Sequence, residues 1–133
     1  EHYVPLPRQV VHALQELQPL SGHREYVFPG FRDPTACMSE AGISAALHAM
    51  GYKGVHTWHG YRATGRTLLR EVHRYPKDVI EYHLAHKGEV THGGAYDRAQ
   101  YLQERADMLQ HWADYLDKLK AGADVVTMPT RAA

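Results

Sequence analysis

The sequence is organised around one stretch, which opens with His59-Gly60-Tyr61-Arg62, passes through Leu84-Ala85-His86 and reaches Ala95-Tyr96-Asp97-Arg98. An arginine side chain presents a planar fork of donors that matches phosphate oxygens, and it stays charged at any working pH. Histidine titrates near neutrality, so it can give or take a proton. Tyrosine can act as a covalent nucleophile when its phenol is helped to ionise. These side chains together predict a site that holds a phosphodiester and attacks its phosphorus.

The first motif of this stretch is predicted to lie at a helix start. A helix should begin at about Trp58, because Thr57 can cap it and apolar residues recur at helical spacing afterwards. His59 and Arg62 are three residues apart, so they share one face in the first turns of this helix. Backbone N–H groups and the helix dipole favour a phosphate at such a place. The predicted location therefore suits the predicted chemistry.

The order and spacing of these motifs resemble those of one known family. His59-x-x-Arg62, then Leu84-Ala85-His86, then Tyr96 before Asp97-Arg98 are similar to the second half of the catalytic domain of tyrosine recombinases of the phage integrase family. Supporting matches are His2-Tyr3-Val4-Pro5-Leu6, Thr64-Gly65-Arg66-Thr67-Leu68 and Trp112-Ala113-Asp114-Tyr115-Leu116. The resemblance therefore covers most of the chain. One departure is that Gly60-Tyr61 stand where the family often has an acidic residue and leucine.

The resemblance implies a role for each of the four candidate residues. Tyr96 would be the nucleophile that forms a 3'-phosphotyrosyl link to DNA. Arg62 would bind the non-bridging phosphate oxygens, and His59 and His86 would assist by hydrogen bonding and proton transfer. Because bond energy is conserved in this link, the resemblance implies neither a nucleotide cofactor nor a metal. The implied process is site-specific DNA recombination or integration by a mobile genetic element.

The resemblance also implies which partners to expect. Double-stranded DNA would be the substrate, and the full-length protein would act as a homo-oligomer on it. Neither a membrane nor a small-molecule substrate is implied. The single Cys37 rules out an intramolecular disulfide and fits a reducing compartment, and no apolar run approaches the length of a membrane span. We therefore expect a cytoplasmic protein of bacterial or phage origin.

The family normally uses a second arginine and a lysine in its site, and this chain departs from that pattern. Both residues belong before the region that matches His2-Tyr3-Val4, whereas Arg8 and Arg24 lie after it and cannot be mapped onto the missing arginine. Preorganised charge at a phosphate stabilises the transition state. We therefore expect this chain, which is truncated on its N-terminal side relative to the family's catalytic domain, to be inactive or nearly so by itself.

Charge supports an alternative in another class of function. The 133 residues contain fifteen basic and fifteen acidic side chains, a poor signature for a protein whose affinity depends on phosphate neutralisation. Eleven histidines soften this objection, since their partial protonation below about pH 7 adds positive charge. The alternative is a non-catalytic helical module that binds DNA or a protein partner.

Two alternatives also stay open for the site itself. His56-x-x-His59 and His83-x-x-His86 could together complete a tetrahedral zinc shell, although no H-E-x-x-H motif occurs and separate segments would have to converge. Tyr101 also follows His86, but it falls on the apolar stripe of the last helix. We therefore expect Tyr96 to be the nucleophile and expect no bound metal.

The expected fold class is mainly α, the helical half of the tyrosine recombinase (DNA breaking-rejoining) catalytic domain, with a minor N-terminal β-strand at Tyr3-Val4. Residues 1–121 should form this partial domain, and residues 122–133 a poorly ordered tail. Five or six helices are expected. Periodicity places them at about 8–17, 40–50, 58–72, 77–84 and 95–120. The glycine-rich residues 87–94 are predicted to form a flexible loop.

Punctuating residues predict where the first two helices begin and end. Pro7 suits the first turn of the first helix, and Pro19 and Gly22 are expected to end it. Ser39 is a suitable N-cap for the second helix, and Gly51 a suitable C-terminal stop.

Overall fold

The computed structural model of the chain describes residues 2–85 and 101–122. Within these residues it has five helices: α1 (Arg8–Ser21), α2 (Glu40–Ala49), α3 (Trp58–Glu71), α4 (Lys77–His83) and α5 (Leu102–Lys120). Strand pairing in the described part of the chain is limited to an isolated antiparallel bridge between Pro29 and Cys37. The mainly helical class predicted from the sequence is confirmed. None of the described helices is long and apolar enough to cross a membrane.

The chain divides into two compact units. Among the described residues, one unit comprises 2–9, 66–85 and 101–122, and the other comprises 10–65. Both boundaries fall inside helices, since α1 and α3 each contribute residues to both units. The expected division into a domain of residues 1–121 and a tail of residues 122–133 stays a prediction, because residues 123–133 lie outside the described part.

The first unit has a buried apolar core to which α3, α4 and α5 all contribute. Its buried members are Leu69, Val79, Ile80 and Met108, and the partly buried side chains packed on them are Tyr75, Leu84, Tyr101 and Trp112. Each fully buried aliphatic side chain stabilises the folded state by about 1.5–3 kcal/mol relative to an exposed one. The apolar periodicity of the three helices predicted the four buried members, and their burial confirms it, whereas Tyr75, which lies between α3 and α4, was not predicted.

A fully buried arginine joins the N-terminal segment to this core. Arg105, on α5, is buried, and its Nη2 donates to the carbonyl oxygen of Tyr3 and lies 3.4 Å from Nε2 of His2. Its guanidinium carbon lies 5.1 Å from the centroid of the Tyr82 ring, a cation–π distance. Burial lowers the pKa of Arg105 from its ordinary value, and Tyr82 opposes that shift. The sequence placed Arg105 on the buried face, but the Tyr3 carbonyl that it binds is distant in sequence.

The expected N-terminal β-strand is wrong for the described residues. Residues 2–7 are irregular, and no described strand pairs with Tyr3-Val4. A strand exists only when a neighbouring strand accepts its hydrogen bonds. Here the Tyr3 carbonyl is bound by the Arg105 side chain instead, so this segment is anchored to α5.

The signals at the ends of α2 were interpreted correctly, whereas one signal in α1 was not. Ser39 stands at the N-cap of α2, although its side chain makes no capping hydrogen bond, and Gly51, with φ +91°, follows the C-cap. In α1 the helix passes through Pro19 and ends at Ser21, where the N–H of Gly22 donates to the Gln18 carbonyl at 2.7 Å. A proline inside a helix removes one backbone hydrogen bond and crowds the preceding turn, but α1 continues for two residues past Pro19. Gly22, and not Pro19, therefore sets the end of the helix.

The second unit lacks such a core. Ser21 is the only buried residue among residues 10–65, all of which are described, and its Oγ donates to the Val27 carbonyl at 2.8 Å. Large apolar side chains remain exposed there, with Phe31 fully so. The apolar side chains of this unit are therefore at most partly buried.

Candidate active site

The first turn of α3 carries two of the four candidate residues. Thr57 precedes the helix and caps it, since the N–H of Gly60 donates to Thr57 Oγ1 at 3.1 Å and to the Thr57 carbonyl at 2.9 Å. The predicted cap is thereby confirmed. His59 and Arg62 follow in the first turns, three residues apart on one helix face, and both are exposed. The structure therefore presents these two side chains to solvent at a helix N-terminus, where an anion is favoured.

Gly60 and Tyr61, the two residues between His59 and Arg62, pack against His56 in the segment that precedes α3. A Cβ added at Gly60 would lie 2.9 Å from His56 Cε1, so glycine makes room for the His56 ring. That ring packs edge-on against the Tyr61 ring, with 4.2 Å between centroids and an interplanar angle of 71°. The departure from the family's usual residues thus has a local packing explanation. From the sequence His56 was considered only as a zinc ligand, and its packing role was missed.

The other two candidate residues, His86 and Tyr96, lie outside the described residues. The described chain stops one residue before His86. There, Leu84 is the C-cap of α4, and Ala85 has φ +50° with its N–H donating to the Tyr82 carbonyl at 3.1 Å. The predicted end of this helix just before His86 is confirmed. The convergence of all four candidate residues on one phosphate stays a prediction, and so does the loop at residues 87–94.

Tyr101, the alternative nucleophile, packs against the core of the first unit. It occupies the N-cap of α5 with φ +57°, and its ring lies 6.1 Å from that of Tyr82. Its carbonyl accepts the N–H of Arg105 at 2.8 Å. The predicted burial of Tyr101 is confirmed, but its predicted position inside a helix that begins at about residue 95 is wrong, because Tyr101 has a left-handed conformation and precedes α5. The Tyr101 ring is therefore part of the packing around the core of the first unit.

The described residues offer no metal site of three or more ligands from histidine, cysteine, aspartate or glutamate. His56 contacts Tyr61, as described above. The imidazole of His2 makes a 3.2 Å hydrogen bond to the carbonyl oxygen of His83. The four-histidine zinc alternative also requires His86, so it is not tested by the described part of the chain.

A charged cleft formed by α3 and α4 was missed in the sequence. It lies in the first unit, has a volume of about 220 Å³ and is lined by three basic side chains, Arg66, Arg70 and Lys77, and by two acidic ones, Glu71 and Glu81. A signal for it was present, because Arg62, Arg66 and Arg70 recur every four residues and so share one face of α3. The contribution of Lys77 depends on how α4 packs, which the spacing does not show.

Phage and prophage integrases are similar to this chain along most of its length. Prophage integrase IntZ of Escherichia coli (strain K12) is 43% identical over 122 residues, which are 91% of this chain and 30% of that protein. The integrase of Enterobacteria phage P4 is 42% identical over 120 residues, 88% of this chain and 27% of its own length. The integrase of Shigella phage Sf6 is 36% identical over 118 residues, 88% of this chain and 30% of its own.

These similarities show that the chain belongs to the phage integrase family of tyrosine recombinases. The chain spans about 30% of the length of relatives such as prophage integrase IntZ of Escherichia coli. No family model matches it. No solved structure matches it either. The resemblance identified from the motifs is thereby confirmed, while the roles of the individual site residues are not addressed by these comparisons.

Proposed function

We propose that this chain supplies the helical part of a DNA-cleaving site in a site-specific recombinase, with Tyr96 as the nucleophile. One observation carries the proposal: His59 and Arg62 are both exposed on one face at the start of α3, in a chain similar to integrases along about nine-tenths of its length. Exposure at a capped helix start leaves both side chains able to reach a phosphate, whereas a buried pair could not. The proposed substrate is double-stranded DNA.

The proposed reaction is a transesterification at phosphorus. The phenolic oxygen of Tyr96 attacks a backbone phosphate, the bond from phosphorus to the 5' oxygen breaks, and a 3'-phosphotyrosyl link and a 5'-hydroxyl result. One proton leaves the phenol and one reaches the 5' oxygen, and His59 and His86 are the groups proposed to carry them. Arg62 offsets the extra negative charge of the pentacoordinate state. A 5'-hydroxyl from another strand reverses the step.

We propose further that the 133-residue chain alone cleaves poorly. The family's first arginine and its lysine have no counterpart in these residues, so two preorganised donors are missing from the phosphate. Loss of one such donor costs about 2.7–4 kcal/mol of transition-state stabilisation, which corresponds to about a 10²–10³-fold slower reaction. The chain is expected to need a protein that provides those groups.

A suicide DNA substrate tests both statements. The isolated chain should form no covalent adduct above background. A chimera, in which this chain replaces the matching segment of the phage P4 integrase, should form the adduct, because the remainder supplies the missing groups. The variant Tyr96→Phe of that chimera should abolish the adduct, and Tyr101→Phe is the matched control. Loss of the adduct with Tyr101→Phe but not Tyr96→Phe would overturn the assignment of the nucleophile.

A second candidate function is non-catalytic binding of DNA or of a protein partner. The formal charge of zero favours it. Salt-dependent binding of the isolated chain to duplex DNA, together with an inactive chimera, would support a DNA-binding role without catalysis. No binding to DNA by the chain, together with an inactive chimera, would support a protein partner.

A further inference from the structure

We infer that the cleft formed by α3 and α4 in the first unit binds a backbone phosphate of duplex DNA, at a position outside the proposed four-residue site. This inference rests on the proposed function, because it assumes that the chain contacts DNA. The cleft of about 220 Å³ is several times the roughly 30 Å³ that one water molecule occupies in the liquid, so it has room for a phosphate group. No role of the four candidate residues depends on it.

The charges of the cleft favour an anion. Arg66, Arg70 and Lys77 contribute three positive charges, and Glu71 and Glu81 contribute two negative ones, which leaves a net charge of +1. In a chain whose formal net charge is zero, this is a local excess of positive charge. This excess of positive charge would repel a divalent cation and attract a phosphate.

The hydrogen bonds within the cleft show which donors remain for a ligand. Arg66 is committed to Glu81, since its Nε and Nη2 lie 2.6 Å and 2.5 Å from Glu81 Oε1. Arg70 uses Nη1 to donate to the Tyr75 carbonyl at 3.3 Å, and an arginine has further N–H donors. Lys77 is exposed and makes no hydrogen bond or ion pair with another described residue. The groups that contact the phosphate are therefore the ammonium of Lys77 and the N–H donors of Arg70 other than the one that binds Tyr75.

The position of the cleft along α3 favours DNA over a free phosphate. Arg62, Arg66 and Arg70 lie on one face of this helix at intervals of four residues, or about 6 Å along its axis. A duplex presents a continuous row of phosphates. A backbone that meets α3 at Arg66 can therefore continue along the same helix face to Arg70, which lines the cleft together with Lys77 of α4. A lone phosphate would use only one of these contacts.

The test measures binding of the 133-residue chain to a fluorescent duplex by anisotropy, at salt concentrations from about 0.05 to 0.2 M. The variant Lys77→Gln should weaken binding several-fold and lower the slope of log affinity against log salt by about 0.9, because one phosphate contact is lost. The matched control is Lys118→Gln, which removes the same charge from an exposed residue in the last turn of α5. It should change affinity by less than about twofold.

A second variant, which is expected to tighten DNA binding instead of weakening it, strengthens the test. Glu81→Gln removes a carboxylate that competes for Arg66, so it should tighten binding to the duplex. Replacing chloride with inorganic phosphate at constant ionic strength should leave duplex binding within about twofold. Displacement of the duplex by low millimolar phosphate would assign the cleft to the free anion and overturn the inference.

The outcomes separate this inference from the proposed function. If the unmodified chain binds duplex in a salt-dependent way but Lys77→Gln behaves like Lys118→Gln, the cleft does not bind phosphate, and the proposed function stands. If the unmodified chain shows no salt-dependent binding to duplex, this inference is overturned, whereas the proposed function is decided separately by whether the chimera forms the covalent adduct. Circular dichroism confirms that each variant retains the helical content of the unmodified chain.

Discussion

The two units of this chain differ in how their apolar side chains are used. The first unit buries Leu69, Val79, Ile80 and Met108 together, whereas residues 10–65 bury no apolar side chain at all. Both units contain helices with comparable sequence signals. The comparison teaches that helices form in both units, whereas a buried apolar core forms only in the first unit, where α3, α4 and α5 converge.

The difference also bears on function. The described half of the candidate active site, His59 and Arg62, belongs to the unit without a core, and the charged cleft belongs to the unit with one. The position of His59 and Arg62 therefore depends on local features, which are the Thr57 cap and the packing of His56 on Tyr61. The cleft is held by tertiary packing, because Ile80 is both a core residue and part of its lining.

The largest expected difference between the units is in the free energy of unfolding that is lost when a methionine is replaced by alanine. Met108 is 0% exposed in the first unit, and Met50 is 70% exposed in the second. The variant Met108→Ala should lower the free energy of unfolding by about 2–5 kcal/mol, because it removes buried surface and leaves a cavity. The matched variant Met50→Ala should change it by no more than about 0.5 kcal/mol. Urea denaturation measures both, and equal losses would contradict the contrast.

Removal of the α3 cap should have a smaller effect. The variant Thr57→Ala loses the hydrogen bond to the Gly60 N–H and should cost about 1 kcal/mol of stability. Thr57→Ser keeps the hydroxyl and serves as the control. Hydrogen exchange at the amide of Gly60 provides a local readout and should become faster in Thr57→Ala alone. Unchanged exchange would show that another group fixes the start of the helix.

The smallest expected effect is a pH dependence in the first unit. Burial, with a smaller contribution from His111, lowers the pKa of His73 from its ordinary value of 6.5. The His73 ring also contacts Trp112 and Tyr115 edge-on. Because the unfolded chain binds the proton more tightly, the stabilising contribution is present above about pH 6.5 and is lost as pH falls through the lowered folded-state pKa.

Urea unfolding at several pH values measures this dependence. The variant His73→Gln should lose less stability on acidification than the unmodified chain does. His48→Gln, an exposed histidine of the second unit, should follow the unmodified chain. Parallel curves for all three proteins would exclude His73 as the source of the pH dependence.

Local signals account for what could be predicted from the sequence. Thr57 and Gly51 act on their own helix ends, so they were interpreted correctly without knowledge of the fold. Ser39 occupies the predicted N-cap position, although its side chain makes no capping hydrogen bond. Pro19 failed as a stop signal, since α1 continues for two residues past it. Leu116 lies on the apolar stripe of α5 yet is 45% exposed, because the stripe is wider than the face that the core covers.

Non-local contacts account for most of what could not be predicted. The partner of Arg105 is the Tyr3 carbonyl, which lies 102 residues away in the sequence, and no pattern near either residue announces it. The expected strand at Tyr3-Val4 failed for the same reason, since strands depend on distant partners. For the candidate site, the placement of His59 and Arg62 followed from helix spacing alone, whereas the cleft at Lys77 required the packing of α4 on α3.

The most direct test of the central claim is to identify the residue that becomes covalently attached to DNA. The chimera with the phage P4 integrase would be trapped on a suicide substrate, digested with nuclease and protease, and sequenced by mass spectrometry. We predict a nucleotide remnant on Tyr96, and no adduct when Arg62 is changed to alanine. A remnant on Tyr101, or an undiminished adduct in Arg62→Ala, would contradict the account.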